Sequence, residues 1–237
     1  SFIEILPSIF ENNKSKFCSD AKIKQKLNCN FDSTLVMWLK FDGTTYDSSR
    51  NYNNGNCEYS AGTCPTLVNG RIGTGAYYFN GSQYITIVDN PSLNFGTEDF
   101  LIMFWAKGQE LINPDNIVIN KIFGNQAGFS ISATVNDITF RGKGPMDSQC
   151  SISSNWIDSN WHHIAFVVNK SDKIYGYENG VLACNENINQ NSNFDSNTNL
   201  TIGSNKDNTL GFNGTIDDVR IYKRALSIEE INKIISG

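Results

Sequence analysis

KIYGYENGVLAC, residues 173–184, sets two strand-forming runs on either side of Asn179-Gly180. A two-residue Asn-Gly connection favours a type I′ turn, because both central residues must take positive φ. Such a turn lets the flanking runs pair antiparallel. The same chemistry recurs outward along the chain. Toward the N-terminus stand HHIAFVVN (162–169), DITFR (137–141), GFSISAT (128–134), IVINKI (117–122), FLIMFWA (100–106), YITIV (84–88), AYYF (76–79) and TLVMWLKF (34–41). Toward the C-terminus follow LTIG (200–203) and TIDDVRIY (215–222). These runs are rich in β-branched and aromatic residues, and many alternate apolar with polar. Asn80-Gly81 marks a second turn. Short strands separated by turns predict an all-β antiparallel sandwich, since a parallel sheet needs intervening helices.

Two stretches break the rhythm. Gly142 to Asn160 reads as a polar loop around Cys150 and Trp156, and Asn185 to Asn199 as a solvated Asn/Ser tract. Residues 1–33 read as an N-terminal extension, with FIEIL (2–6) a short strand and Ser19 to Leu27 a short helix capped by Ser19. Residues 34–237 form the domain. At its end, Ser227-Ile228-Glu229-Glu230 is a capping box. The short helix it opens has Ile228, Ile231, Ile234 and Ile235 on one face, suited to packing on the sandwich.

The chain has 237 residues, with 19 Lys and Arg against 24 Asp and Glu and a net charge of −5. That balance argues against a nucleic-acid partner. No stretch reaches the roughly 18 apolar residues of a membrane span. A first residue other than Met fits a removed leader or a trimmed chain. Of the six cysteines, four fall into two local pairs and Cys150 and Cys184 are left over, which points to disulfides Cys18–Cys29, Cys57–Cys64 and Cys150–Cys184, although six cysteines allow many connectivities. The competing zinc reading lacks a CxxC, and its only two His are adjacent, His162 and His163. Disulfides imply an oxidising compartment, hence a secreted or cell-surface protein. N-x-Ser/Thr sequons at Asn13, Asn80, Asn169, Asn199 and Asn213 would serve as glycosylation sites there. The 32 asparagines also generate sequons by chance.

LVMWLKFDG, YDSSRNYNNG, GTGAYYFNGSQYITI, FLIMFWAK, NWHHIAFVVN, IYGYENG, LTIGSN and GFNGTIDDVRIYKRALSIEEI follow one another from residue 34 to residue 235. In that order they resemble the laminin-G-like branch of the concanavalin-A-like lectin/glucanase superfamily. The resemblance implies a jelly roll of two curved antiparallel sheets, frequent calcium binding, and recognition of glycans or proteins. It does not cover the extension, and it makes His162-His163 a structural position. Trp38, Trp105 and Trp161 lie in or beside apolar strands and are expected in the core.

The oxygen-rich loop YDSSRNYNNG (46–55) offers Asp47, Ser48, Asn51 and Asn53 as hard ligands for calcium. Strand alternation turns one of Asp217 and Asp218 inward. The resemblance brings the late acidic motif beside the early loop and nominates Asp47, Asn51 and Asp217 as a shared Ca2+ site. The plainer alternative is that these side chains cap turns and accept backbone hydrogen bonds.

Retaining glycoside hydrolysis needs two carboxyls about 5–5.5 Å apart, met on one strand by acids two residues apart. Here the acidic pairs are adjacent, as in Glu98-Asp99, Asp217-Asp218 and Glu229-Glu230, so no catalytic residues are nominated. A glycoside hydrolase remains a minor alternative. The leading expectation is a non-catalytic adhesion or recognition protein for a glycan or a surface protein. Tyr46, Tyr52, Tyr59 and Trp156 are its ligand-loop aromatics. The alternative is a structural subunit of a filament, pilus or surface layer, with residues 1–10 donating a strand to a neighbouring copy.

Overall fold

A computed structural model describes residues 32–57, 64–109, 115–122, 124, 127–143, 147–205 and 207–236. The expected strand and helix of the extension, the Cys18–Cys29 pair, Asn13, Tyr59 and association through residues 1–10 all lie outside the described residues. The chain divides into two units, 1–33 and 34–237, and every described strand and helix belongs to the second.

Two antiparallel sheets stack face to face. The first runs β13 (Val181–Asn187), β12 (Lys173–Glu178), β11 (His162–Val168), β6 (Phe100–Gly108), β15 (Asn213–Tyr222), β4 (Ala76–Asn80), β3 (Thr66–Val68). In it β1 (Leu35–Leu39) also pairs with β15. The second runs β10 (Ser148–Ser153), β9 (Asp137–Lys143), β8 (Gly128–Ala133), β7 (Asn116–Asn120), β14 (Leu200–Ile202), β5 (Ile85–Ile87), β2 (Gly55–Asn56). This is the jelly-roll sandwich.

The predicted hairpin is present. Asn179 and Gly180 both take positive φ between β12 and β13, and Asn179 Oδ1 accepts the His163 N–H. The central strands β6 and β11 read as near-continuous apolar runs because both their faces are covered. Ile102, Phe104, Ala106, Ile164 and Phe166 face the inter-sheet core, where Phe95, Phe100, Phe129, Phe140 and Phe194 meet ring to ring. Leu101, Met103, Ala165, Val167 and Tyr222 face outward. They are covered by helix α1 (Ile228–Ile235), whose capping box forms as expected and whose Ile231 is fully buried.

Three strands were not legible in the sequence. β2 and β3 are only two and three residues long. β10 lies inside the stretch expected to be a polar loop. Its sequence SQCSIS is mostly polar, yet Cys150 and Ile152 alternate into the core. The Asn-rich tract is likewise not a solvated loop. Ser192, Phe194 and Ser196 are buried while the residues between them are exposed. Two buried lysines hold its backbone. Lys121 Nζ donates to Ser196 O, Thr198 O and the Asp89 carboxylate at 2.6–2.8 Å. Lys170 Nζ donates to Asn189 O and Ser192 O and lies 4.6 Å from the Phe194 ring centre.

Both described disulfides follow the expected pairing. Cys150–Cys184 joins β10 to β13, the outermost strands of the two sheets on one side. Cys57–Cys64 links the end of β2 to the approach to β3, the outermost strands on the other side.

Candidate functional site

The loop 46–55 is built around one carboxylate. Asp47 Oδ1 accepts the N–H groups of Trp38 and Ser49, each at 2.8 Å. Its Oδ2 accepts the Ser49 hydroxyl at 2.7 Å and the Asn53 N–H at 2.9 Å. Asn53 Nδ2 donates to Val36 O and to Ser92 Oγ, and Asn51 Nδ2 donates to Leu35 O. Thr45 and Gly55 close the base with two reciprocal hydrogen bonds. The loop is therefore fastened to β1 along its length, with little freedom left to lose on binding.

This frame presents two aromatic side chains to solvent. Tyr46 is 69% exposed and Tyr52 79%. Tyr52 also holds a positive φ of 57°, an unfavourable conformation for a bulky residue that clusters at functional sites. Trp156, expected beside them, is fully buried. Its ring stacks on Phe212, its Nε1 donates to Thr134 O, and it packs against Gly108, where an added Cβ would meet the ring at 2.3 Å. It belongs to the core and cannot touch a ligand. Trp38 and Trp161, expected in the core, are instead partly exposed on the outer face of the first sheet, while Trp105 is nearly buried there.

Asp217 lies on β15, level with Trp105 of β6. Alternation fails beyond it, because a bulge sets Asp218 and Val219 opposite the single residue Phe104 and puts Asp218 at φ 50°. Both aspartates are consequently buried. Asp217 Oδ2 accepts the N–H groups of Arg71 and Ile72 at 2.7 and 2.9 Å, while its Oδ1 has no hydrogen-bond partner. Burial, opposed by those backbone hydrogen bonds, pushes its carboxyl up to about 6. Asp218 accepts the Trp38 indole N–H at 2.6 Å and pairs with Arg220.

The structure thus brings Asp47 and Asn51 together in one loop and gives Asp217 a separate task, holding residues 71–72. The oxygen chemistry of all three suits calcium, but Asp47 already receives four donors. Among the described residues no three His, Cys, Asp or Glu side chains gather as a metal-binding group.

No motif in the sequence pointed to the cluster around His162. Its Nδ1 lies 2.7 Å from Glu178 Oε1 and its Nε2 lies 2.9 Å from Asp158 Oδ1. Burial works to lower its pKa, but the hydrogen bonds to Asp158 and Glu178 outweigh that and hold it above the ordinary value. Its neighbour His163 is pushed down to about 3 by burial and then by the Arg220 charge. Ser154 donates to Glu178 and not to the imidazole, so the cluster is no serine–histidine pair. Of the described sequons, Asn80 and Asn199 are exposed and Asn169 and Asn213 partly so. The Asn213 amide oxygen accepts the Tyr78 hydroxyl.

A family profile described as the Concanavalin A-like lectin/glucanases superfamily (Laminin_G_3) matches residues 79–232. Non-toxic nonhemagglutinin of Paraclostridium bifermentans is 26% identical over 169 residues, covering 70% of this chain and 14% of that protein. The binding domain of Paraclostridial Mosquitocidal Protein 1 superposes with a TM-score of 0.72 at 23% identity, over 85% of this chain and 52% of that one. The binding domain of botulinum neurotoxin DC, solved in complex with SialylT, gives 0.67 at 17% identity over 86% and 51%. Domain 4 of AbnA, a GH43 extracellular arabinanase from Geobacillus stearothermophilus solved with arabinotriose, gives 0.66 at 21% identity, over 85% of this chain and 98% of that domain. The chain therefore spans about half of each toxin binding domain and a small part of the curated relative. At these identities the solved structures show a shared fold. The profile covers well over half of the chain, which belongs to the Concanavalin A-like lectin/glucanases superfamily.

Proposed function

We infer that this chain is a non-catalytic, extracellular glycan-binding domain whose contact surface is the 46–55 loop. The observation that carries this reading is the pair of exposed rings, Tyr46 and Tyr52, on a loop pinned by Asp47. Aromatic faces pack on the apolar faces of sugar rings, and neighbouring amides bond hydroxyl groups. The arabinotriose complex of a domain matched over almost its whole length supports a sugar ligand. The disulfides support an oxidising, extracellular setting.

A glycan array probed with the full chain tests the reading. Tyr46→Ala and Tyr52→Ala each weaken the best hits about tenfold, the scale of a contact worth about 1.4 kcal/mol, and leave the melting temperature unchanged. An array that stays blank, or hits indifferent to both substitutions, overturns it.

Calcium binding by Asp47, Asn51 and Asp217 is a separate proposal. If it holds, calcium added to chelator-treated protein raises the melting temperature. No change means that the hydrogen bonds of Asp47 already do the work of a metal. Self-association through residues 1–10 is likewise separate, and comparing the oligomeric state of the chain with and without residues 1–16 decides it.

A further inference from the structure

The outer face of the first sheet is divided. Half lies under helix α1; the other half carries tryptophans and cations. Strand register arranges it in rows, because residues paired across strands share a face. One row holds Trp161, Lys107 of β6, Thr215 of β15 and Tyr78 of β4, with Lys107 and Thr215, and Thr215 and Tyr78, directly paired. The next holds His163, Trp105 and Asp217. The third holds Met103, Arg220 and Trp38.

Each tryptophan in these rows bears a cation. Lys107 Nζ lies 5.4 Å from the Trp161 ring centre, and the Arg71 guanidinium lies 4.7 Å from that of Trp105. Lys40 Nζ and the Arg220 guanidinium lie 4.5 and 4.3 Å from that of Trp38. All are within cation–π range. Arg220 is neutralised by Asp218. Lys40, Arg71 and Lys107 form no ion pair among the described residues, whereas Lys121, Lys223 and Arg224 each pair with a carboxylate. Asp217, the other acid on this face, spends one oxygen on the backbone N–H groups of Arg71 and Ile72.

The cations are also held in place. Residues 71–75 are fastened at both ends, by Asp217 to Arg71 and Ile72 and by Asp42 to Thr74 and Gly75. An arginine on a fixed backbone, resting on an indole, has little side-chain entropy left to lose. An acidic protein that sets three unpaired, ring-supported cations on one sheet face has a local charge opposite to its net charge of −5.

We propose that Lys40, Arg71 and Lys107 form an anion-binding face for a carboxylate-bearing glycan, distinct from the Tyr46–Tyr52 loop. Charge complementarity selects an acidic ligand. Three separated point cations suit carboxylates spaced along a sugar chain. Arg71 is exposed and Lys40 and Lys107 are partly so, within reach of a ligand in solvent.

The test uses the full chain and four probes: size-defined oligogalacturonate, oligosialic acid, a neutral galactan oligomer of equal length, and vesicles containing phosphatidylserine. At low salt at least one acidic probe binds and the neutral one does not, and binding weakens as salt is raised. Arg71→Gln and Lys107→Gln each reduce acidic-probe binding about fivefold or more with an unchanged melting temperature, and Tyr52→Ala leaves it intact. Loss on Tyr52→Ala alone would move the ligand to the loop and overturn the proposal. So would absence of binding to both acidic probes, indifference to both cation substitutions, or binding only to vesicles containing phosphatidylserine. Failure of the tyrosine variants on neutral glycans bears on the loop reading alone.

Discussion

His162 sits between two carboxylates with a nitrogen on each, so its protonated form is the one the fold favours. A histidine raised above its ordinary value of 6.5 contributes stability that is complete below that pH and is lost as pH rises through the folded value. The urea midpoint of the native protein therefore falls as pH rises above 6.5, and His162→Gln removes that fall. Asp217 and His163 flank Trp105 and act in opposite senses. Between about pH 4 and 6 the folded state holds the proton of Asp217 more tightly than the unfolded chain does, so rising pH costs stability there. His163, held neutral by burial, gains stability over the same range. The two offset each other, and Asp217→Asn unmasks the gain as a midpoint that climbs with pH through this window. None of this pairing was visible in the sequence, since it depends on which strands lie side by side. The tryptophans teach the same lesson. Trp38 has apolar neighbours but faces outward, while Trp156 has polar neighbours and is buried because Gly108, far off in sequence, leaves room for it. Local polarity reports the company a residue keeps along the chain, and burial is decided across it.

At the level of elements, twelve strands were legible from β-branched runs and turn dipeptides, and the helix from its capping box. What escaped were strands whose alternation is carried by small or polar residues, as in β10, and the lysine-held tract. A lysine with no exposed side-chain surface is rare unless paired. Lys121 satisfies all three of its N–H donors, two of them on carbonyls of the tract. Lys121→Met leaves those carbonyls and Asp89 without their donor. It is expected to cost roughly 3 kcal/mol in chemical denaturation and to expose residues 188–199 to proteolysis in the native state. Lys121→Arg will not rescue it, because a planar fork cannot reproduce a three-way ammonium cage. The bulge at Asp218 is the other element invisible to pattern reading. Strict alternation puts Asp217 and Asp218 on opposite faces, and one extra residue places both where they hold other parts of the chain.

For the whole molecule, helix α1 decides how much of the outer sheet face meets water. Ile231→Ala removes its one fully buried side chain and is expected to cost about 2–4 kcal/mol, measured by thermal or urea unfolding. Dye binding should report the uncovered apolar face formed by Leu101, Met103 and Val167. The two described disulfides carry a different consequence. One sits at each lateral margin of the sandwich, so the layers are bolted along both sides and cannot swing apart like the covers of a book. Mechanically the domain is a hoop. A sideways pull at the β10–β13 margin loads the Cys150–Cys184 bond before it loads the hydrogen bonds of either sheet, and a reducing agent frees that margin while the backbone crossings still join the two layers.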